Sequence, residues 1–150
     1  MSRGPPAHHA SHCVTGSDPF RWPVRVYYED TDAGGIVYYA NYLRFLERAR
    51  TEWLARLGFT HAELVCEHHV AFVVHRLEIE YVQPARLYDA LEVTLGLAVR
   101  GRGRLIMAQD VLRDGAILAR AQVTLACLNP ATWRPVRIPA AVAARMESYA

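Results

Sequence analysis

The stretch from Arg25 to Gly58, RVYYEDTDAGGIVYYANYLRFLERARTEWLARLG, sets three carboxylates and a glycine pair directly before a long amphipathic segment. Tyr42, Leu46, Ala49, Trp53 and Leu57 recur at helical spacing from about Ala40 onward, and Gly58 supplies a stop. This is the one long helix of the chain. Ahead of it, Trp22 to Glu29 favours a strand, with Val24, Val26 and Tyr28 on one face and Arg25 and Tyr27 on the other. Glu29, Asp30 and Asp32 then fall at the end of that strand. Arg50 lies within the apolar arc of the helix, where an unpaired charge is costly, so it is expected to meet a carboxylate from elsewhere in the fold.

Downstream, Thr60 to Glu67 reads as a short second helix, with Thr60 and Glu63 in capping-box spacing. The period then changes to two. Leu77, Ile79 and Tyr81 alternate with Glu78 and Glu80; Leu91, Val93, Leu95, Leu97 and Val99 share a face, as do Ile117, Ala119, Ala121, Val123 and Leu125. Arg104 to Leu112 adds a strand between the turns Gly101-Arg102-Gly103 and Asp114-Gly115. Ala140 to Tyr149 follows Pro139 as a short terminal helix. The predicted architecture is α+β: a strand, a long helix, then four strands in a meander. One helix is too little to cover the apolar face of a five-stranded sheet, so self-association is expected.

A chain of 150 residues supports one domain able to bury a core without metal or disulfide staples. That domain is expected over 21–150, after a disordered tail over 1–20 that is rich in Gly, Pro, Ser and His and lacks the apolar centre of a secretory signal. All 17 basic residues are arginine, but 15 acidic residues leave a net charge of +2, which gives no reason to expect a nucleic-acid partner. No apolar run is long enough for a transmembrane segment. Cys13, Cys66 and Cys127 are odd in number and far apart, without zinc or disulfide spacing, so a reducing, cytoplasmic setting is expected.

Elimination narrows the chemistry. The four serines, Ser2, Ser11, Ser17 and Ser148, lie near the ends of the chain, which argues against a serine hydrolase. Neither Cys66 nor Cys127 sits at a glycine-rich nucleophile turn. His8, His9, His12 and Cys13 lack an orienting shell, so no metal is predicted; His61, His68, His69 and His75 read as solvated or packing residues. The carboxylate cluster remains. A carboxylate beside the start of a helix can attack, or direct water at, an acyl carbon whose oxygen is polarised by unpaired backbone N–H groups. A solvated acidic turn favoured by the helix dipole is the plainer reading, and Gly34 and Gly35 tilt the balance by allowing close backbone approach. The arrangement suits hydrolysis of an acyl ester or thioester.

The segment YYEDTDAGGIVYYANYLRFLERARTEWL resembles the signature of hotdog-fold acyl-CoA thioesterases of the 4-hydroxybenzoyl-CoA thioesterase class, closest to the Tol-Pal-associated subgroup. The similarity runs through FRWPVRVYYED, VAFVV and EYVQPARLYDALEV, roughly Phe20 to Pro139. It implies an antiparallel sheet wrapped around the long helix, two protomers with joined sheets and acyl-CoA sites at their interface, as a homodimer or homotetramer. It implies hydrolysis of acyl-CoA to free acid and CoA with no cofactor beyond the CoA of the substrate, envelope-associated protein partners, and a cytoplasmic location peripheral to the inner membrane. The catalytic aspartate of the family falls on Asp32, as nucleophile or general base. The backbone N–H of Tyr39 or its neighbours is the implied oxyanion donor. Gly35, Tyr38 and Asn41 accompany them at the substrate, and Arg100, Arg102 and Arg104 form the densest group of cations for the CoA phosphates. The chain departs from the subgroup at Tyr39, where that subgroup usually has His. Two other readings stay open: a noncatalytic acyl-CoA-binding or scaffold protein, and a hotdog dehydratase, which calls for a well-placed catalytic histidine.

Overall fold

A computed structural model describes residues 18–147. The chain runs β1 (Phe20–Arg25), α1 (Tyr42–Arg56), α2 (His61–His68), β2 (Ala71–Tyr81), β3 (Ala90–Arg100), β4 (Arg104–Arg113), β5 (Ala116–Asn129), β6 (Arg134–Pro135) and α3 (Ala140–Glu147). Short 3₁₀ turns at Tyr28–Asp30 and Tyr39–Asn41 flank the glycine pair. The expected tail over 1–20, with His8, His9, His12 and Cys13, falls outside the described residues up to position 17, as do the last two residues of the expected terminal helix. No helix among the described residues is long and apolar enough to cross a membrane.

The sheet is antiparallel, in the order β1-β3-β4-β5-β2, with β6 paired to the end of β5. This corrects the expected meander. Only β3, β4 and β5 follow one another; β2 pairs with β5 at the far edge, from Ala71 opposite Leu128 to Tyr81 opposite Ala119. The segment 82–89 then carries the chain from that edge to β3, passing the start of α1, where Ile36 bridges Arg86. The sheet thus curls around α1 as a hotdog fold.

α1 buries Tyr42, Phe45, Leu46, Ala49, Trp53 and Leu54, followed by Leu57. They pack on Val26, just past β1, and on Val93, Leu95, Leu105, Met107 and Val123 from the sheet. Each such side chain, once buried, contributes about 1.5–3 kcal/mol, so this face holds the helix against the sheet. Gly58 ends the helix with φ at +92°. Thr60 and Glu63 form the expected reciprocal cap of α2. Burial pushes the Cys127 thiol up to about 11, which suits a packing role.

Two β-bulges shift the alternation read from sequence. Between Leu97 and Val99 the β3–β4 register slips, and Val99 emerges exposed. A second slip places Val111 opposite Ala119 but Leu112 opposite Ile117, so the intervening Leu118 is fully buried while Ile117 is only half-buried. Arg50 also differs from expectation. Its ion-pair partner is Glu47 on its own helix, and the group from elsewhere is the Gln109 amide oxygen on β4, which accepts from Arg50 Nη1 at 2.9 Å. Gln109 Nε2 in turn donates to the Leu46 carbonyl at 3.1 Å. The guanidinium is satisfied without a distant carboxylate.

Candidate active site

β1 ends at Arg25, four residues short of the strand end read from sequence, because the backbone turns to satisfy a buried carboxylate. Asp30 is 2% exposed. Its Oδ2 accepts the Tyr27 N–H at 2.8 Å and its Oδ1 accepts Asn41 Nδ2–H at 2.7 Å. The first contact closes the 3₁₀ turn at Tyr28–Asp30 and leaves Tyr28 in solvent; the second ties that turn to the start of α1. Asn41 is buried as well. Asp30 and Asn41 therefore form the buried polar joint that positions the acidic turn on the helix.

Beyond the joint, Thr31 bridges Val37 and the Asp32 N–H donates to the Ile36 carbonyl at 3.0 Å, making a small hairpin around Ala33, Gly34 and Gly35. Asp32 is exposed at its tip. Its Oδ1 accepts the Gly34 N–H at 2.8 Å, and its carbonyl accepts the Gly35 N–H at 3.0 Å. Both glycines have a local reason. A Cβ on Gly34 would lie 3.1 Å from Asp32 Oδ1, and Gly35 holds φ at +75°. The hairpin leans on the 85–86 segment through the Val37 N–H donated to Ala85 O at 2.9 Å. Glu29 is exposed, so the three carboxylates diverge and only Asp32 combines exposure with a fixed orientation.

Tyr38, Tyr39 and Ala40 follow at once. Asn41 N–H donates to the Tyr38 carbonyl at 2.8 Å as the first bond of the helical segment, which leaves the N–H groups of Tyr39 and Ala40 without an intrahelical acceptor. The Tyr38 and Tyr39 rings lie 4.9 Å apart. The Tyr38 phenol titrates above its ordinary value, through its hydrogen bond and charge interaction with Tyr39, partial desolvation and the field of the Asp32 carboxylate. Tyr42 is buried and structural, its hydroxyl accepting the Ala85 N–H at 2.9 Å.

Sequence reasoning missed Tyr81 on β2. Its hydroxyl donates to the Tyr39 carbonyl at 2.7 Å, and its ring stands edge-on to those of Tyr39 and Tyr42. Because that carbonyl shares a peptide plane with the Ala40 N–H, Tyr81 orients one of the free donors. A tyrosine closing an alternating edge strand, apolar in body and polar at its tip, was the available signal.

Among the residues expected at the site, Asp32, Gly35, Tyr38, Tyr39 and Asn41 come together around the hairpin and helix start. Arg100, Arg102 and Arg104 do not join them within the protomer. β3 begins at Ala90 opposite Arg25, and Arg100 at its other end lies roughly 30 Å along the strand. There Arg100 pairs with Glu147 of α3, and the Arg102 carbonyl accepts the Ile138 N–H. Glu47, His61, Phe72, Met107 and Met146 line a cavity of about 50 Å³ farther along α1, away from the hairpin.

A curled antiparallel sheet around one long helix defines the hotdog class. The profile of the thioesterase-like superfamily matches residues 26–146, and the chain belongs to that superfamily. It is 43% identical over 129 residues to the acyl-CoA thioester hydrolase YbgC of Escherichia coli O6:H1, covering 85% of this chain and 96% of that one. The acyl-CoA thioesterase YbgC of Haemophilus influenzae is 45% identical over 125 residues, covering 83% and 92%. A solved probable thioesterase from Bartonella henselae superposes with a TM-score of 0.78 at 33% identity, over 81% of this chain and all of that one.

Proposed function

We propose that the protein is an acyl-CoA thioesterase that hydrolyses an acyl-CoA to the free acid and CoA, with Asp32 as its catalytic carboxylate. The observation that carries the reading is the pairing of an exposed, oriented carboxylate with the free N–H groups of Tyr39 and Ala40, in a chain 43–45% identical to proteins named as acyl-CoA thioester hydrolases. The N–H groups polarise the thioester oxygen and stabilise the charge that develops on it. Asp32 then acts in one of two ways. As nucleophile, its oxygen bonds to the carbonyl carbon, the C–S bond breaks, CoA leaves as the thiol after taking a proton from solvent, and water cleaves the resulting anhydride. As general base, it takes a proton from a water that attacks the same carbon directly; the C–S bond then breaks and CoA leaves as the thiol, taking up a proton. No cofactor enters either route, since CoA belongs to substrate and product.

The working unit in this reading is at least a dimer. β2 is an edge strand on which Val74 and Tyr81 are exposed, with Val82 exposed just beyond it, and Tyr81 touches the site directly. Joining β2 to a second copy would cover that edge. Free-thiol release over a panel of short, long and aromatic acyl-CoAs, with the parent beside Asp32→Asn, tests the function. Turnover by the parent and its loss in the variant are expected. Binding without turnover across the panel would favour a noncatalytic acyl-CoA binder, and an enoyl thioester product would favour a dehydratase.

A further inference from the structure

We propose that a groove beside the end of β1 holds the nucleotide end of the acyl-CoA, with Arg25 and Arg48 meeting its phosphates and Tyr88 offering a ring to its adenine. The inference rests on the thioesterase reading and adds a binding site to it. The groove has a volume of about 460 Å³, and its lining includes Trp22, Arg25, Tyr27, Arg48, Tyr88 and Leu91. Two features make it suited to an anionic, planar ligand.

The first is uncommitted positive charge. Arg21, Arg50, Arg76, Arg100, Arg113 and Arg120 are each paired with a carboxylate. Arg25 and Arg48 instead lie against rings, 5.9 Å from the centroids of Tyr88 and Phe45 respectively, with no carboxylate partner among the described residues. The acidic side chains that directly adjoin the groove wall in sequence, Glu47, Asp89 and Glu92, are held by Arg50, Arg113 and Arg21. A phosphate entering the groove therefore meets two guanidinium groups free to turn toward it.

The second is the exposed aromatic surface. Tyr88 is 68% exposed and Tyr27 is 56% exposed. Tyr88 holds a left-handed backbone at φ +68°, fixed by its N–H donated to the Val26 carbonyl at 3.0 Å. A bulky residue rarely adopts that conformation, and here it accompanies a ring turned outward beside Arg25. A guanidinium next to an aromatic face is a common platform for a nucleobase.

Position completes the case. Tyr27 precedes Asp32 by five residues, so their Cα atoms lie within about 18 Å, a span that the extended pantetheine arm bridges. Arg100, Arg102 and Arg104 lie at the other end of β3.

The test compares one acyl group carried on CoA and on pantetheine, which lacks the nucleotide, in the full-length parent, in the Arg25→Glu/Arg48→Glu variant and in the milder Arg25→Gln/Arg48→Gln variant. The charge reversal should raise KM for acyl-CoA about tenfold relative to its effect on acyl-pantetheine, with the glutamine variant in between. Equal shifts on both substrates, or none on acyl-CoA, would overturn the proposal. Calorimetric titration with adenosine 3′,5′-bisphosphate provides a readout independent of turnover: the parent should bind and the charge-reversed variant should bind at least about tenfold more weakly. Absent or unchanged binding would overturn the assignment. If the parent cleaves neither thioester, the hydrolase reading fails, and the bisphosphate titration alone decides the groove.

Discussion

Two substitutions two residues apart separate the carboxylate that builds the site from the one assigned to chemistry. Asp30→Ala removes both acceptors of a buried joint, stranding the Tyr27 N–H and the Asn41 amide that now donate to it at 2.8 and 2.7 Å. A buried donor left unpaired costs about 1–3 kcal/mol, so two cost about 2–6 kcal/mol less whatever water recovers by entering. For a chain of this length each kcal/mol moves Tm by about 2–4 °C, and a fall on the order of 10 °C is expected. Asp32→Asn leaves an oxygen to accept the Gly34 N–H in solvent, and its effect on stability should stay within about 0.5 kcal/mol. Its effect on turnover should be large, a loss of about 10²-fold or more, because the amide neither attacks the acyl carbon nor accepts a proton from water. Thermal unfolding and thiol release measured on the same preparations read both effects. An Asp30→Ala protein as stable as the parent but inactive would transfer the chemistry to Asp30. Near-parental turnover by Asp32→Asn would remove the catalytic assignment outright.

Tyr81→Phe should lower kcat by a few-fold, roughly 1 kcal/mol of lost orientation, with little change in KM, because it frees the Tyr39–Ala40 peptide without touching Asp32; an unchanged kcat would show that the helix start holds its donors unaided. Gln109→Leu should destabilise by about 1–3 kcal/mol by leaving Arg50 Nη1 unpaired, and adding Arg50→Met should cost less than the two changes separately, a non-additivity read by denaturant titration. Burial opposes ionisation of Asp89, but the Arg86 N–H and the Arg113 guanidinium outweigh it and hold the carboxyl below its ordinary value. Its stabilisation is thus complete above the ordinary aspartate range and lost as pH falls through the depressed value, so Asp89→Asn should flatten the acid limb of a Tm–pH profile. Val74→Glu on the exposed β2 edge should shift sedimentation toward monomer and lower specific activity on dilution; a fully active parental monomer would contradict the shared-site reading.

The features legible in the sequence are those set by neighbours along the chain. The apolar arc from Tyr42 to Leu57, the Thr60–Glu63 cap and the alternation in β3 to β5 depend on spacing; the first two stand where spacing placed them, and the third holds except where the bulges displace Val99 and exchange Ile117 for Leu118 in the core. Pairing across the sheet depends on contacts between distant residues, which is why β2 beside β5, rather than beside β3, could not be read from local pattern. The same division runs through the site. The hairpin residues from Asp32 to Asn41 are contiguous and so legible together, whereas Tyr81 reaches them across 42 positions and Arg100 lies far from them despite an apt charge.

Within the acidic triplet, sequence offers three equivalent carboxylates, and burial makes them different. Asp30 is committed to the joint by two N–H donors, which fixes where the chain turns and therefore where Asp32 emerges. Asp32 is left with one N–H donor and solvent. A carboxylate enclosed by donors has its lone pairs engaged and no room for an acyl group, so the residue that forms the site is poorly placed to act in it. The division also bears on Tyr39. Its phenol points to a ring cluster at the surface, while its backbone faces the helix start and is steadied through its carbonyl by Tyr81. A position that supplies its main chain tolerates a change of side chain more readily than one that supplies a functional group. That is a physical reason why Tyr can stand where the resembled subgroup usually carries His without removing the N–H donors proposed to polarise the thioester.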